Sequence, residues 1–194
     1  MLYLTPACTK EVKEQISEGH FGQMITPRSG EKIVPNAIWA LDNGCFSANW
    51  QQSRWEKNLV RYQDEPGCLF AVIPDVVADA KETDELWYQW SEVVKDLGYK
   101  VAYVLQNGCT HIPDNADAVF TGGDTDWKLG PEASHWVLKA RQRGLWTHMG
   151  RVNSLKRLRY AKAQKYDSID GTFITYAPTE NLQRMTRWLQ KVHA

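Results

Sequence analysis

Six points along this sequence carry residue types that do chemistry, and each follows a short apolar segment. They are Asp42-Asn43-Gly44, Asp75, Gln106-Asn107-Gly108, Gly122-Gly123, Met149-Gly150-Arg151 and Asp170-Gly171. Taken singly, Asp or Asn beside Gly is an ordinary turn signal. Repeated at segment after segment, the pattern describes one convergent mouth. Carboxylates without His or Cys at metal-ligand spacing suit acid–base and nucleophilic work. One carboxylate can attack an anomeric carbon whose transition state has oxocarbenium character, and a second carboxyl can protonate the leaving group. A third carboxylate, an amide and a glycine N–H can read the edge of a planar base. Guanine presents N1–H and N2–H donors that suit Asp75. Its O6 acceptor suits the amide of Gln106 and a backbone N–H near Gly123. The paired glycines Gly122 and Gly123 leave room for such a ring. Asp170 reads either as the nucleophile or as a turn aspartate before Gly171.

The segments ahead of these points must position them. Apolar runs at 2–5, 38–42, 69–75, 101–106, 118–123, 145–150 and 168–171 are mostly continuous, as in parallel strands buried on both faces. Helical patterns alternate with them. Residues 81–97 place Leu86, Trp90, Val93, Val94 and Leu97 on one stripe, and Gly98 stops the helix. Residues 132–143 carry Ala133, Trp136, Val137 and Ala140. Ser154 is a predicted N-cap, as is Thr179 for a last helix. Residues 49–62 and 9–17 complete the helices. This alternation predicts an α/β fold with mainly parallel strands, a TIM-like (β/α) barrel in reduced or incomplete form with about seven strands. A flavodoxin-like open sheet is the alternative. Residues 20–36 read as a long loop, in which Arg28 and Lys32 can reach phosphate or simply face solvent.

The 194 residues suffice for one domain, 1–194, and the formal net charge is zero. Composition alone therefore gives no case for nucleic acid. Between Lys139 and Lys165, however, nine basic residues run without an acid. They form either a phosphate-binding face or a pair of solvated helix faces. Cys8, Cys45, Cys68 and Cys109 lack C-x2-C spacing and read as free thiols of a reducing cytoplasm. No apolar run reaches the ~18–20 residues a membrane span needs, and the N-terminus does not look like a secretory signal. No metal and no cofactor is expected.

The motifs DNGCF, IPDVVADA, YVLQNG, FTGGDTDWKLG, HMGRVNS and DSIDGT occur in this order from Asp42 to Thr172. Together with TPRSG and WALDNGCF, this series resembles the tRNA-guanine transglycosylase superfamily, and within it the compact phage-type, DpdA-like (deazapurine-in-DNA) proteins. The resemblance implies a catalytic domain without the zinc subdomain of the larger enzymes. It implies Asp42 as general acid/base, Asp170 as nucleophile, Asp75 as base reader, Gln106 with Gly122 and Gly123 as further base contacts, and Met149 packed on the base. Cys45, Ser47 and the GTF after Asp170 depart from the family pattern. DNA becomes the expected substrate and tRNA the alternative, with a 7-deazaguanine such as preQ0 or preQ1 as the incoming base. The setting implied is the cytoplasm of a phage-infected bacterial cell, with a partner protein or a second copy as a possible helper.

A base inside a duplex must leave the stack to reach such a mouth. Lys128, Arg151, Asn153, Lys156, Arg157 and Arg159 are the expected phosphate contacts. Trp39, Trp127 and Trp146 lie near the mouth, for base stacking or for the core. His111 and His148 read as proton carriers or as incidental. Two rival functions use the same residues: an N-glycosidic hydrolase and a non-catalytic nucleic-acid binding module.

Overall fold

The structure is a computed structural model, and it describes residues 1–28, 31–47 and 50–193. Eight strands form a closed barrel in sequence order. They are β1 Leu2–Thr5, β2 Gly22–Ile25, β3 Trp39–Leu41, β4 Cys68–Val72, β5 Val101–Leu105, β6 Ala118–Thr121, β7 Trp146–Met149 and β8 Ser168–Asp170. Each pairs in parallel with the next, and β8 closes on β1. The helices are α1 Lys10–Ser17, α2 Gln52–Tyr62, α3 Ala80–Asp96, α4 Thr125–Lys128, α5 Pro131–Gln142, α6 Leu155–Ala163, α7 Phe173–Tyr176 and α8 Pro178–His193.

The expected TIM-like α/β barrel is therefore present. Its trimming lies in length, and the strand count is complete. The eighth strand, β2, falls inside the stretch read as a loop. Its four residues GQMI are all buried but too short and too mixed to announce a strand. Met24 faces the barrel interior and Ile25 the outer core.

Two apolar layers hold the barrel. Leu4, Met24, Ala40, Phe70, Val72, Ala102, Val104 and Ala118 fill its interior. A larger layer, with Trp39, Leu41, Val119, Met149 and Ile169, lies between strands and helices. The period of two along each strand separates these layers, so alternate residues face the axis. This alternation places Asp42 in phase with Ala40, and Asp170 in phase with Ser168.

Helix ends follow the sequence signals in part. Asp79 caps α3, and Ser154 caps α6 through the amide of Arg157. Thr179 lies inside α8, which begins at Pro178, because proline is favoured in a first helical turn. Asn49, the expected start of α2, lies outside the described residues, as do Ser29 and Gly30 of the TPRSG motif.

The inner face of α3 is rotated from the predicted stripe. Ala80, Thr83, Trp87, Ser91 and Val94 are buried, whereas Val93 is 48% exposed. Trp87 packs edge-on against Tyr103 and donates to Asn115. Polar anchoring by small Thr83 and Ser91 is invisible to a purely apolar stripe. Truncating a buried tryptophan removes transfer energy and leaves a cavity, so Trp87→Ala costs about 3–5 kcal/mol. Val93→Ala stays within about 0.5 kcal/mol of the parent protein. Urea unfolding of both variants checks this assignment of faces.

Candidate functional site at the barrel mouth

A cavity of about 200 Å³ opens at the C-terminal ends of the strands, where parallel barrels carry their sites. Asp42, Asp75, Gln106, Gly122, Gly123, Lys128, Arg151 and Asp170 all line it. Met24, Val72, Val104 and Phe120 make its apolar floor and walls. The three expected carboxylates and the amide thus meet in one place.

Each carboxylate sits in a different environment. Asp42 follows β3 and is pushed up to about 7 by burial, then by the charges of Asp170 and Asp75. Asp75 is pushed up to about 6 by burial, against two short hydrogen bonds that oppose the rise. Asn43 Nδ2 donates to its Oδ1 and Gln106 Nε2 to its Oδ2, each at 2.6 Å. Asp170 moves the other way. Burial pushes it up, but the hydrogen bond and electrostatic pull of His148, the Arg151 amide and the Lys128 charge hold it below the ordinary carboxylate value.

His148 read from sequence as a proton carrier or as incidental, and the structure places it against Asp170. It is fully buried on the barrel axis, with its ring near Phe70 and Phe120. Its Nε2 lies 3.2 Å from Asp170 Oδ2, and its Nδ1 lies 2.8 Å from Ser168 Oγ. Trp146 Nε1 donates to that same Ser168 oxygen at 2.8 Å. Ionised Asp170 can only accept, so Nε2–H donates to it, while Ser168 Oγ pairs with Nδ1. The usable signal was the alternation Trp146–His148 on β7 beside Ser168–Asp170 on β8. These pairs meet because His148 and Ser168 are register partners. Asn43 was missed as well: its amide also donates to Ile73 O, which fixes it under Asp75.

Two non-glycine residues with left-handed backbones serve this site. Arg151, at φ +63°, turns its amide onto Asp170 Oδ1 at 2.8 Å. Ala78, at φ +64°, turns its amide onto Gln106 Oε1 at 2.8 Å. Such conformations cost energy and persist where the surroundings enforce them.

The glycine pair does something other than expected. The Gly123 amide donates to Gln106 Oε1 at 2.7 Å, and Gly122 N–H donates to Leu105 O. Gln106 in turn spends an amide hydrogen on Asp75. These groups therefore hold one another and orient Asp75, and the Gly123 amide is not aimed at a ligand. A side chain at Gly122 would come within 2.7 Å of Gln106 Nε2, so the glycine lets that amide reach its place.

Three further expectations need correction. Met149 points into the outer layer and does not line the cavity, because it is out of phase with His148 on β7. Lys128 is 1% exposed and lines the cavity, so it is not a surface phosphate contact. Asn153 is used internally: its Oδ1 accepts from the Phe173 amide and its Nδ2 reaches Thr172. Of the two readings of the tryptophans the core one holds: Trp39 and Trp127 are buried, Trp146 packs on the interior layer at the start of β7, and none of the three lines the cavity.

Arg151 donates to Gly123 O and lies over the Phe46 ring at 4.1 Å. Arg157 supports it by donating to Arg151 O. Lys156 and Arg159 are exposed on α6. His111 lies 3.9 Å from Asp84 and does not line the cavity.

A second chamber of about 400 Å³ adjoins the first and shares Thr26, Asp42, Phe46 and Thr172 with it. Arg28, Ser47, Trp50 and Arg54 line it. The four cysteines are free thiols. Among the described residues no cluster of three His, Cys, Asp or Glu side chains stands ready for a metal. No described helix is long and apolar enough to cross a membrane.

The raised proton affinity of Asp42 sets a sign for stability. Between about pH 4 and 7 the folded protein keeps a proton on Asp42 that the unfolded chain has released. This contribution to stability is full below about pH 4 and is lost as pH rises through 7. Asp42→Asn lacks it, so the stability of Asp42→Asn relative to the parent rises across that window. Urea midpoints at pH 4.5 and 7.5 read the difference.

No family model matches the chain, and no curated protein matches it. Among the solved structures similar to it is one titled "PaMucR Phosphodiesterase, c-di-GMP complex", at 13% identity and TM-score 0.45. The match covers 72% of this chain and spans about 61% of that protein's length. A likeness at this level carries no argument about function.

Proposed function

We propose that this protein is a base-exchange transglycosylase that replaces guanine in DNA with a 7-deazaguanine. The observation that carries the reading is the opposed proton affinity of two carboxylates in one cavity. Asp42 is pushed up to about 7 and Asp170 is held low. Paired groups driven apart in this way divide acid from nucleophile.

The chemistry follows from that division. Ionised Asp170 attacks C1′ of the deoxyribose as the bond to guanine N9 breaks, and a glycosyl ester forms. Protonated Asp42 gives its proton to the departing base. The deazaguanine then enters, Asp42 takes its N9 proton, and N9 attacks C1′ as the ester bond to Asp170 breaks. Two inversions give overall retention. Asp75, held by Asn43 and Gln106, accepts from N1–H and N2–H of either base.

The shared wall of the two chambers supports a nucleic acid substrate. A base in the first chamber would leave its sugar beside Asp42 and Thr172, with the backbone passing Arg28 and Arg54 in the second. DNA is preferred to tRNA because the motif series, with TPRSG and WALDNGCF, resembles most narrowly the compact deazapurine-in-DNA proteins.

The test is nucleoside mass spectrometry of DNA and, separately, tRNA after incubation with preQ0 or preQ1. Deazaguanosine in DNA is expected with the parent protein and absent with Asp170→Ala. Incorporation into tRNA alone would overturn the choice of DNA, and an abasic site would indicate hydrolysis. In the exchange reaction kcat/KM falls above about pH 7, as Asp42 loses its proton. His148→Leu raises the acid limb of the profile, because Asp170 then binds its proton more tightly. It also lowers kcat by roughly 100-fold or more, the scale for losing one aimed donor at a charged centre.

A further inference from the structure

We propose that Lys128 is the specificity-determining residue of the cavity, its ammonium group donating to the 6-oxo oxygen of the bound guanine-type base. The assignment rests on the base-exchange reading, and it names which chemical class of base the site accepts.

The loop after β6 is built to deliver this amine. Asp124 Oδ1 accepts from the amides of Asp126 and Trp127 and so caps α4. Asn107 clamps Asp124 from both sides, accepting from its amide and donating to its Oδ2. Gly123, at φ +67°, brings the chain round so tightly that a side chain there would run into the Trp127 ring. Lys128 then ends α4 with its side chain buried against the cavity.

The amine is under-used where it lies. Lys128 Nζ donates to Gly150 O at 3.0 Å. Among the described residues this is its sole hydrogen bond, and no carboxylate oxygen lies within 4.0 Å of it. An ammonium carries three donors. A buried cation with a single neutral partner is costly, because little replaces its lost hydration. The low proton affinity of the group, about 7, agrees with this and follows first from burial and then from the Arg151 charge. Two donors remain at the edge of a cavity that takes a ligand, and an acceptor on that ligand would complete them.

The 6-oxo oxygen is that acceptor. The Gly123 amide expected for it bonds to Gln106, and Gln106 spends one amide hydrogen on Asp75, whereas Lys128 has two hydrogens to offer and is the charged donor of the set. Asp75 draws N1–H and N2–H to one side, which leaves O6 on the adjoining corner of the ring. A 6-amino group would instead turn N–H toward the ammonium and leave both unpaired. The same lysine would thus select against adenine-type bases.

The experiment is equilibrium binding of guanine and 6-thioguanine to the intact protein by calorimetry, with Lys128→Met beside it. Thioguanine keeps N1–H and N2–H for Asp75 and replaces the oxygen with a weaker acceptor. The parent protein should prefer guanine by ~10- to 100-fold, the scale of a hydrogen bond to a charged group. In Lys128→Met the preference should fall to within about threefold, through loss of guanine affinity. Methionine nearly matches the lysine stem and removes a buried charge, and a melting curve verifies folding. If that variant does not fold, Lys128→Gln takes its place and should lower the preference several-fold. Guanine binding with an unchanged preference overturns the role of Lys128 and leaves base exchange standing. No binding of either base by the parent protein overturns base exchange, and this assignment with it.

Discussion

The site depends on keeping one buried carboxylate ionised among three. Negative charges that share a cavity raise one another's proton affinity, and burial raises all of them. Asp42 is raised by both effects and Asp75 by burial. Asp170 escapes the rise because two donors converge on it, His148 Nε2 and the Arg151 amide, and the Lys128 charge acts on it at longer range. The difference between Asp42 and Asp170 is thus made by hydrogen bonds rather than by residue type. His148 is itself held by Ser168, and Ser168 by Trp146, so the orientation of Asp170 is anchored deep in the barrel.

The barrel supplies this arrangement through register and phase. Parallel pairing sets β7 beside β8 so that His148 and Ser168 are level, with Asp170 one inward step further on. Between these inward positions the outward residues Met149 and Ile169 pack on the helices and keep the strands in place. The left-handed backbones at Arg151 and Ala78 are the local cost of aiming amides at Asp170 and Gln106. Gln106 links the loops on the Asp75 side of the cavity, accepting from Gly123 and Ala78 while donating to Asp75.

Much of this was legible in the sequence. Continuous apolar runs gave seven of the eight strands, and the acid or amide after each gave Asp42, Asp75, Gln106 and Asp170 at one mouth. What was not legible depended on phase and on neighbours. Met149 and His148 are adjacent in sequence, and only the strand's phase decides that His148 faces the axis. Lys128 looked like a surface charge in a polar stretch, and the cap at Asp124 and the turn at Gly123 bury it. Gln106 and Gly123 were correctly placed, but their mutual hydrogen bond could not be read from composition. Strand β2 is four residues long, and its burial comes from barrel closure rather than from its own apolar character.

The central claim is that Asp170 forms a covalent bond to C1′ of a nucleotide. The direct measurement is to incubate the protein with a labelled guanine-containing oligonucleotide, quench with acid in the absence of an incoming base, and map any cross-linked peptide by mass spectrometry. The account predicts a protein–DNA adduct on the peptide containing Asp170, displaced when preQ0 or preQ1 is added before the quench. An adduct on Lys128, or turnover of the base with no adduct at Asp170, would contradict it.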